Sequence, residues 1–336
     1  MYMFKYVTKR LGLVIMTFSV IMFMCFVLIK LLPITVSVQI GQDANIIIRK
    51  LEGRGYIQNA VMDPATQTWS YERVPIMIQL GNYLKKIFVN GDFGIGVNIP
   101  SYRDHPVLDV FLEKLPPTIL INLYSSLIGV PIGLGFGILA ALKKNKWQDQ
   151  LINVVVILLI SMPAIVRGLL IQYFLCFKAG WFPTTMNSGY EYFTWSMFRS
   201  MLPPVLALCL GSMASYARFT RAELSEVLTN EYMLLARTKG LTRGQATLRH
   251  AMRNSMVVIL PSILSEFISV LSGSLIIESM FSVPGVGRLY LDSINTLDYD
   301  FFMFLSGFYT LVGLVAGIVI DISYGFIDPR IRMGAK

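Results

Sequence analysis

Residues 118–142 read TILINLYSSLIGVPIGLGFGILAAL, without one acidic or basic side chain. A helix needs roughly 20 apolar residues to cross about 30 Å of hydrocarbon, so this stretch is long enough to span a bilayer. Its internal Gly129, Pro131 and Gly133 do not exclude a helix, because neighbouring helices satisfy the backbone groups they free. The same pattern recurs at 11–32, 151–177, 202–219, 256–280 and 302–327, the last with Gly313 and Gly317 inside it. Composition agrees: hydrophobic types make up 54% and charged types 15% of 336 residues. Soluble domains carry about 25% charge, so lipid must solvate part of this chain.

The short segment before residue 11 has cations (Lys5, Lys9, Arg10) ahead of an apolar run, as a secretory signal does. The run is longer than a signal core of about 7–15 residues, and no small-x-small cleavage site follows, so a retained helix is expected. Lys143, Lys144 and Lys146, then Arg221, Arg237, Lys239, Arg243, Arg249 and Arg253, then Arg330, Arg332 and Lys336 fall in every second segment between spans, on the same side as that N-terminal segment. The intervening short links are poor in Lys and Arg. The positive-inside rule therefore puts both termini in the cytoplasm. Residues 1–33 form the tail and first span, 34–117 an extended extracytoplasmic segment, and 118–336 the remaining spans. Within 34–117, turn signals stand at Gly53–Gly55, Asp63–Pro64 and Gly91–Gly96, and Ile76, Leu80, Tyr83, Leu84 and Ile87 recur at the spacing of a surface helix.

The +9 net charge sits in short blocks between apolar runs. Nucleic-acid binding would gather it on one soluble face with aromatics, so that partner class is excluded and lipid is expected instead. Cys25, Cys176 and Cys209 share no metal-ligand spacing, and His105 and His250 lie far apart. No G-x-x-x-x-G-K-[ST], G-x-S-x-G or H-E-x-x-H occurs. No catalytic, cofactor-binding or metal residue is expected, and the chain reads as a non-enzyme. Gly129-x-x-x-Gly133, the Gly133-x-Gly135-x-Gly137 run and Gly313-x-x-x-Gly317 have the spacing of close helix packing.

The longest basic link, about 223–254, carries a cap at Thr229 or Asn230, a helix to Lys239, a stop at Gly240, and Thr242 as cap of a second helix. It reads either as a compact helix–Gly–helix elbow or as a solvated basic loop near anionic lipid. Glu266, Glu278, Arg167 and Asp321 are charged residues within or near spans. Glu266 either lines an aqueous route or pairs with Arg167, while Glu278 and Asp321, near helix ends, are expected to reach interfacial water. The segment Glu278-x2-Phe281-x2-Pro284-Gly285-x-Gly287-Arg288 reads as a fixed reversal after the fifth span, its glycines taking backbone angles that other residues avoid. Whether it touches a receptor or is purely structural stays open.

Ala236-Arg237-x-Lys239-Gly240-Leu241 with Leu248-Arg249-His250-Ala251-x-Arg253-Asn254 resembles the coupling signature of ABC-importer permeases, in the branch that imports dipeptides and oligopeptides. Tyr6-x3-Arg10 leading to Leu31-Leu32-Pro33, Gly91-Asp92-Phe93-Gly94, Leu115-Pro116-Pro117-Thr118, the Glu278–Arg288 segment and Asp328-Pro329-Arg330-Ile331-Arg332 resemble that branch in the same order. Two departures stand out: Ile34-Thr35-Val36 where the family has Gly-Asp-Pro, and Leu234-Leu235-Ala236 where the general signature has Glu-Ala-Ala.

The resemblance implies the type I ABC-importer permease fold: an all-α integral membrane protein with six spans, in the plasma (inner) membrane of a prokaryote. It implies half of a translocation path worked by alternating access. A second related permease supplies the other half, two ATPase subunits carry ATP and Mg, and an extracytoplasmic substrate-binding protein delivers peptide. It places ATPase coupling on Glu231, Tyr232, Leu235, Ala236, Arg237, Lys239, Gly240, Leu241 and Arg243, with Tyr232, Leu235 and Leu241 as the apolar docking face, and an outer-mouth turn at 278–288. Nickel chelates, glutathione and oligosaccharides are alternative cargoes of similar permeases. A secondary transporter or channel would show repeated halves with broken helices, and no repeat is visible.

Overall fold

The computed structural model describes residues 2–31, 44–53, 55–62, 69–189 and 191–327. In chain order its elements are α1 (Tyr2–Leu31), α2 (Ala44–Gly53), β1 (Ile57–Met62), β2 (Trp69–Arg73), α3 (Ile76–Asn90), α4 (Val107–Leu142), α5 (Trp147–Ser161), α6 (Ala164–Ile171), α7 (Trp195–Val227), α8 (Glu231–Thr238), α9 (Arg243–Ala246), α10 (Met252–Ser269), α11 (Leu275–Met280), α12 (Val286–Asn295) and α13 (Tyr299–Ile327). Wide π-type turns continue α6 over Gln172–Lys178 and join α9 to α10 over Thr247–Ala251. Among the described residues, five helical stretches are long and apolar enough to cross a membrane, and a sixth if α5 and the 164–178 helix count as one span. The Leu32–Pro33, Ile34–Val36, Asp63–Pro64 and Asp328–Arg332 motifs lie outside the described residues.

Two expectations are corrected. The span expected at 151–177 is bent by 104° between α5 and α6. Pro163 is the cause: a residue before proline is driven out of the helical region, and Met162 has φ −79° and ψ 122°. The second span does not begin at Pro116-Pro117-Thr118. Helix α4 starts at Val107 and carries both prolines inside it.

The chain divides into two compact units. The first comprises Met1–Gly12, Leu112–Leu291 and Leu311–Lys336. Helix α7 is its hub, packing against α5, α6, α10 and α11. Gly129, Gly133 and Gly137 lie on one face of α4, and a Cβ on any of them would press on the Cys209, Met213 or Ala217 carbonyl of α7. That is the close approach small residues permit between spans. Gly313 and Gly317 have no such neighbour among the described residues, so close packing does not account for that pair here. Asp149, 2% exposed, takes two bonds from Arg221 (2.6 and 2.8 Å) and one each from Asn145 N and Asn153 Nδ2, tying the start of α5 to the end of α7. Asp321 faces Arg10 at 3.0 Å, both partly exposed.

The second unit comprises Leu13–Phe111 and Asp292–Thr310. Strands β1 and β2 pair antiparallel, Ile57 opposite Arg73 and Met62 opposite Trp69, with a bulge between Gln58 and Val61. Ile48 and Leu51 of α2 pack on Ile57 of the hairpin. Helix α3 is the expected amphipathic helix: Ile76, Leu80 and Tyr83 pack with Phe26 and Met303, whereas Leu84 is exposed.

The Gly91–Gly94 motif has a physical account in this unit. Gly91 ends α3 at φ 64°. Asp92 Oδ1 accepts from Gly94 N (2.8 Å), and a Cβ on Gly94 would overlap Asp300. The following loop is held by carboxylates: Asp298 Oδ2 accepts from the N–H groups of Val97, Asn98 and Ile99 (2.7, 2.7 and 3.2 Å). Asp300 takes the Tyr56 hydroxyl at 2.7 Å. Burial pushes the Asp298 carboxyl above its usual range, against the opposing pull of those N–H groups. The Tyr83 phenol is pushed up by burial and then by the nearby Asp300.

Candidate coupling elbow and polar cavity

Helix α8 is closed by a Schellman motif. Gly240 N donates to Arg237 O (3.0 Å) and Leu241 N to Ala236 O (3.3 Å), with Gly240 at φ 90°. Two residues on, Thr242 and Gln245 form a reciprocal capping box: Gln245 N donates to Thr242 Oγ1 (3.3 Å), and Thr242 N to Gln245 Oε1 (3.1 Å). The reversal is therefore fixed on both sides within four residues. Asn230 occupies the N-cap position of α8, but its side chain makes no cap bond.

The elbow has its own small core. Met233 and Ala236 of α8 meet Ala246, Ala251, Leu224 and Ala141, and the side chains of Tyr232 and Leu241 pack against that cluster. The outward face carries Leu234 and Leu235, 65% and 56% exposed, with Glu231, Arg237 and Lys239 around them. Of the expected docking face, Leu235 points out while Tyr232 and Leu241 turn largely inward. The side chain of Arg243 lies outside the described residues.

At the far end of the fifth span, α11 presents Glu278, fully buried. It does not reach interfacial water. Its carboxylate accepts from Ser274 N (3.2 Å), Gly287 N (2.8 Å) and Arg288 N (3.3 Å), and hydrogen-bonds the Thr118 hydroxyl. Thr118 Oγ1 in turn accepts from Val286 N at 2.8 Å. Gly285 and Gly287 are not among the positive-φ glycines, so the expected reason for them is corrected. A Cβ at either position would overlap the Glu278 carboxylate. Phe281, fully buried, anchors the same turn in the core with Ile121, Met201 and Val283, and Pro284 and Arg288 lie at its edge.

Between these ends, a polar cavity of 320 Å³ opens among α4, α6, α7 and α10. Asn122, Ser126, Arg167, Ser212, Glu266 and Ser274 are among its walls. Glu266 Oε1 accepts from Ser212 Oγ at 2.8 Å. Arg167 donates through Nη1 to the carbonyls of Leu159 (2.9 Å) and Met162 (2.8 Å), and through Nε to Ala207 (3.4 Å). The first two are orphan acceptors at the end of α5, so the guanidinium caps the break that Pro163 makes. The Arg167–Glu266 ion pair expected as one alternative is not formed. The two side chains share the cavity instead.

Residues 133–333 match the family described as binding-protein-dependent transport system inner membrane component. The chain belongs to that family. Among curated relatives of this permease, the dipeptide transport system permease protein DppB of Bacillus subtilis (strain 168) is 32% identical over 99% of this chain and 100% of its own length. DppB of Lactococcus lactis subsp. cremoris is 31% identical over 98% and 100%. The glutathione transport system permease protein GsiC of Escherichia coli (strain K12) is 30% identical over 98% and 99%. Among solved structures, an amino acid ABC transporter with histidines aligns at TM-score 0.52 and 21% identity, covering 65% of this chain and 94% of the other. The inward-facing MetNI methionine ABC transporter aligns at 0.51 and 14%, covering 66% and 97%. The permease therefore has the type I importer fold and resides in the inner membrane.

Across this permease, the named residues fall into three places: elbow, cavity and turn. Three participants were not singled out from sequence. Leu234 sits beside Leu235 because Met233 and Ala236, three apart, take the inward face; that spacing was readable. Thr118 and Ser212 were not readable as site residues, since each gains its role from a partner distant in sequence.

Proposed function

We propose that this chain forms half of the translocation path of an ABC importer for short peptides, with both termini and the elbow on the cytoplasmic side. The observation that carries the reading is the elbow. A helix of eight residues ends in a Schellman motif that runs straight into the capping box of the next helix, and it is backed by its own apolar core, with two leucines and a basic fringe left uncovered. Such a body transmits a push as one piece. Exposed ion pairs contribute only about 0–1 kcal/mol each, so Leu234 and Leu235 contribute most of the grip on an ATPase groove.

Two ATPase subunits, each on one elbow, carry ATP and Mg, and this chain contributes no catalytic group. A second permease completes the path, and a substrate-binding protein delivers cargo from outside. Peptide cargo is supported by full-length similarity to dipeptide permeases. Glutathione, itself a peptide, is the second reading, supported by similarity to the glutathione permeases. The test is reconstitution with partner permease, ATPases and binding protein in liposomes. Dipeptide is expected to stimulate ATP hydrolysis and to accumulate inside. Stimulation by glutathione alone would move the assignment to the second reading, and stimulation by neither would remove the peptide claim.

A further inference from the structure

Ionisable groups within spans are costly unless they face water, one another or a ligand. Glu266 and Arg167 line the same 320 Å³ cavity, and their bonding is lopsided. Glu266 uses Oε1 for Ser212, and no described residue bonds its Oε2. Arg167 uses Nε and Nη1 for three carbonyls, and no described residue accepts from its Nη2. That Nη2 lies over Gly211, where an added Cβ would overlap it. A free carboxylate edge and a free guanidinium edge thus flank residues 211 and 212 of α7. Hydroxyls of Ser125, Ser126, Ser215 and Ser269 and the amide of Asn122 complete the wall.

From this arrangement we propose that the cavity is a subsite for a zwitterionic cargo, its ammonium on Glu266 Oε2 and its carboxylate on Arg167 Nη2. The proposal rests on the peptide reading above and names the chemistry by which the path meets such a cargo. A lone cation would be repelled by Arg167 and a lone anion by Glu266. A molecule with both charges meets the opposite sign at each end, and the hydroxyls serve its amide. Uncharged oligosaccharide leaves both charges unmatched. The volume falls at the low end of the roughly 300–1,000 Å³ typical of small-molecule sites, which suits a short peptide.

The test uses the assembled transporter in lipid nanodiscs without its binding protein, so that only the path is probed. Equilibrium binding is measured for a radiolabelled dipeptide, its N-acetyl form and its C-terminal amide. In the wild type each blocked form is expected to bind at least tenfold more weakly. Glu266→Gln is expected to erase the preference for the free amine while keeping the preference for acid over amide, and Glu266→Asp to retain part of both. Arg167 also caps the helix break, so its half of the site is tested through the ligand series alone. Equal binding of all three peptides by the wild type overturns the proposal, as does unchanged amine discrimination in Glu266→Gln. Receptor-delivered uptake in liposomes separates the two readings. If the wild type imports free dipeptide but shows no such discrimination, only the subsite falls; if it imports no peptide, the functional reading falls first.

Discussion

Glu278 sits beyond the reach of solvent, and four donors from two stretches of chain meet its carboxylate. Hydrogen bonds to a charged group contribute about 1.5–3 kcal/mol each, and an unsatisfied buried donor costs about 1–3 kcal/mol. Glu278→Ala leaves three backbone N–H groups without an acceptor, so a loss of about 3 kcal/mol or more is expected, read as lowered thermal stability of the detergent-solubilised protein. Glu278→Gln keeps one acceptor oxygen and should lose less. Equal stability of all three proteins would mean that water replaces the carboxylate and the turn is not tied as described. At this scale the sequence was half legible. The spacing of Glu278, Pro284, Gly285 and Gly287 announced a fixed reversal, but the role of the glycines was misread. Local pattern suggested unusual backbone angles, whereas the cause is a carboxylate packed against them, with Thr118 brought in from more than 150 residues away.

The elbow was the most legible element, because its signals are local. Thr242 reads as a helix cap on sight, and a glycine after a basic helix end is a stop on sight, although the reciprocal bond from Gln245 appeared only in the structure. The fold of α8 onto Leu224 and Ala141 was not visible, and so the packing of Tyr232 and Leu241, both half-buried, against that cluster was not foreseen. Gly240 has open space where a Cβ would go but sits at φ 90°, so a substitution there strains the backbone without a clash. Gly240→Val is expected to cost about 1–2 kcal/mol locally by forcing a branched residue into the left-handed region, and to loosen the reversal. In the reconstituted transporter this should appear as ATP hydrolysis continuing while peptide uptake falls several-fold. Uptake per ATP equal to the wild type would show that the elbow does not transmit the stroke.

At the scale of the whole molecule, hydropathy marked the five helices among the described residues that are long and apolar enough to cross a membrane, and the bent pair besides, since hydrocarbon thickness leaves few alternatives. It could not show that the third is two short helices at 104°, because a proline does not always break a membrane helix; Pro131 and Pro261 remain inside theirs. The sidedness proposed from the basic blocks has a direct check. A single cysteine at Thr238, in a background without Cys25, Cys176 and Cys209, should react with a membrane-impermeant maleimide only after the membrane is opened. Labelling in intact cells would invert the topology and detach the elbow from any internal engine.

The glycine stripe of α4 has a mechanical corollary. With Gly129, Gly133 and Gly137 each set against a carbonyl of α7, the two longest rods of the first unit are seated like planks joined by dowels, one per turn. Relative sliding would have to lift every dowel at once. Whatever rocking opens the pore must therefore carry this pair as a single beam and find its pivot along some other seam.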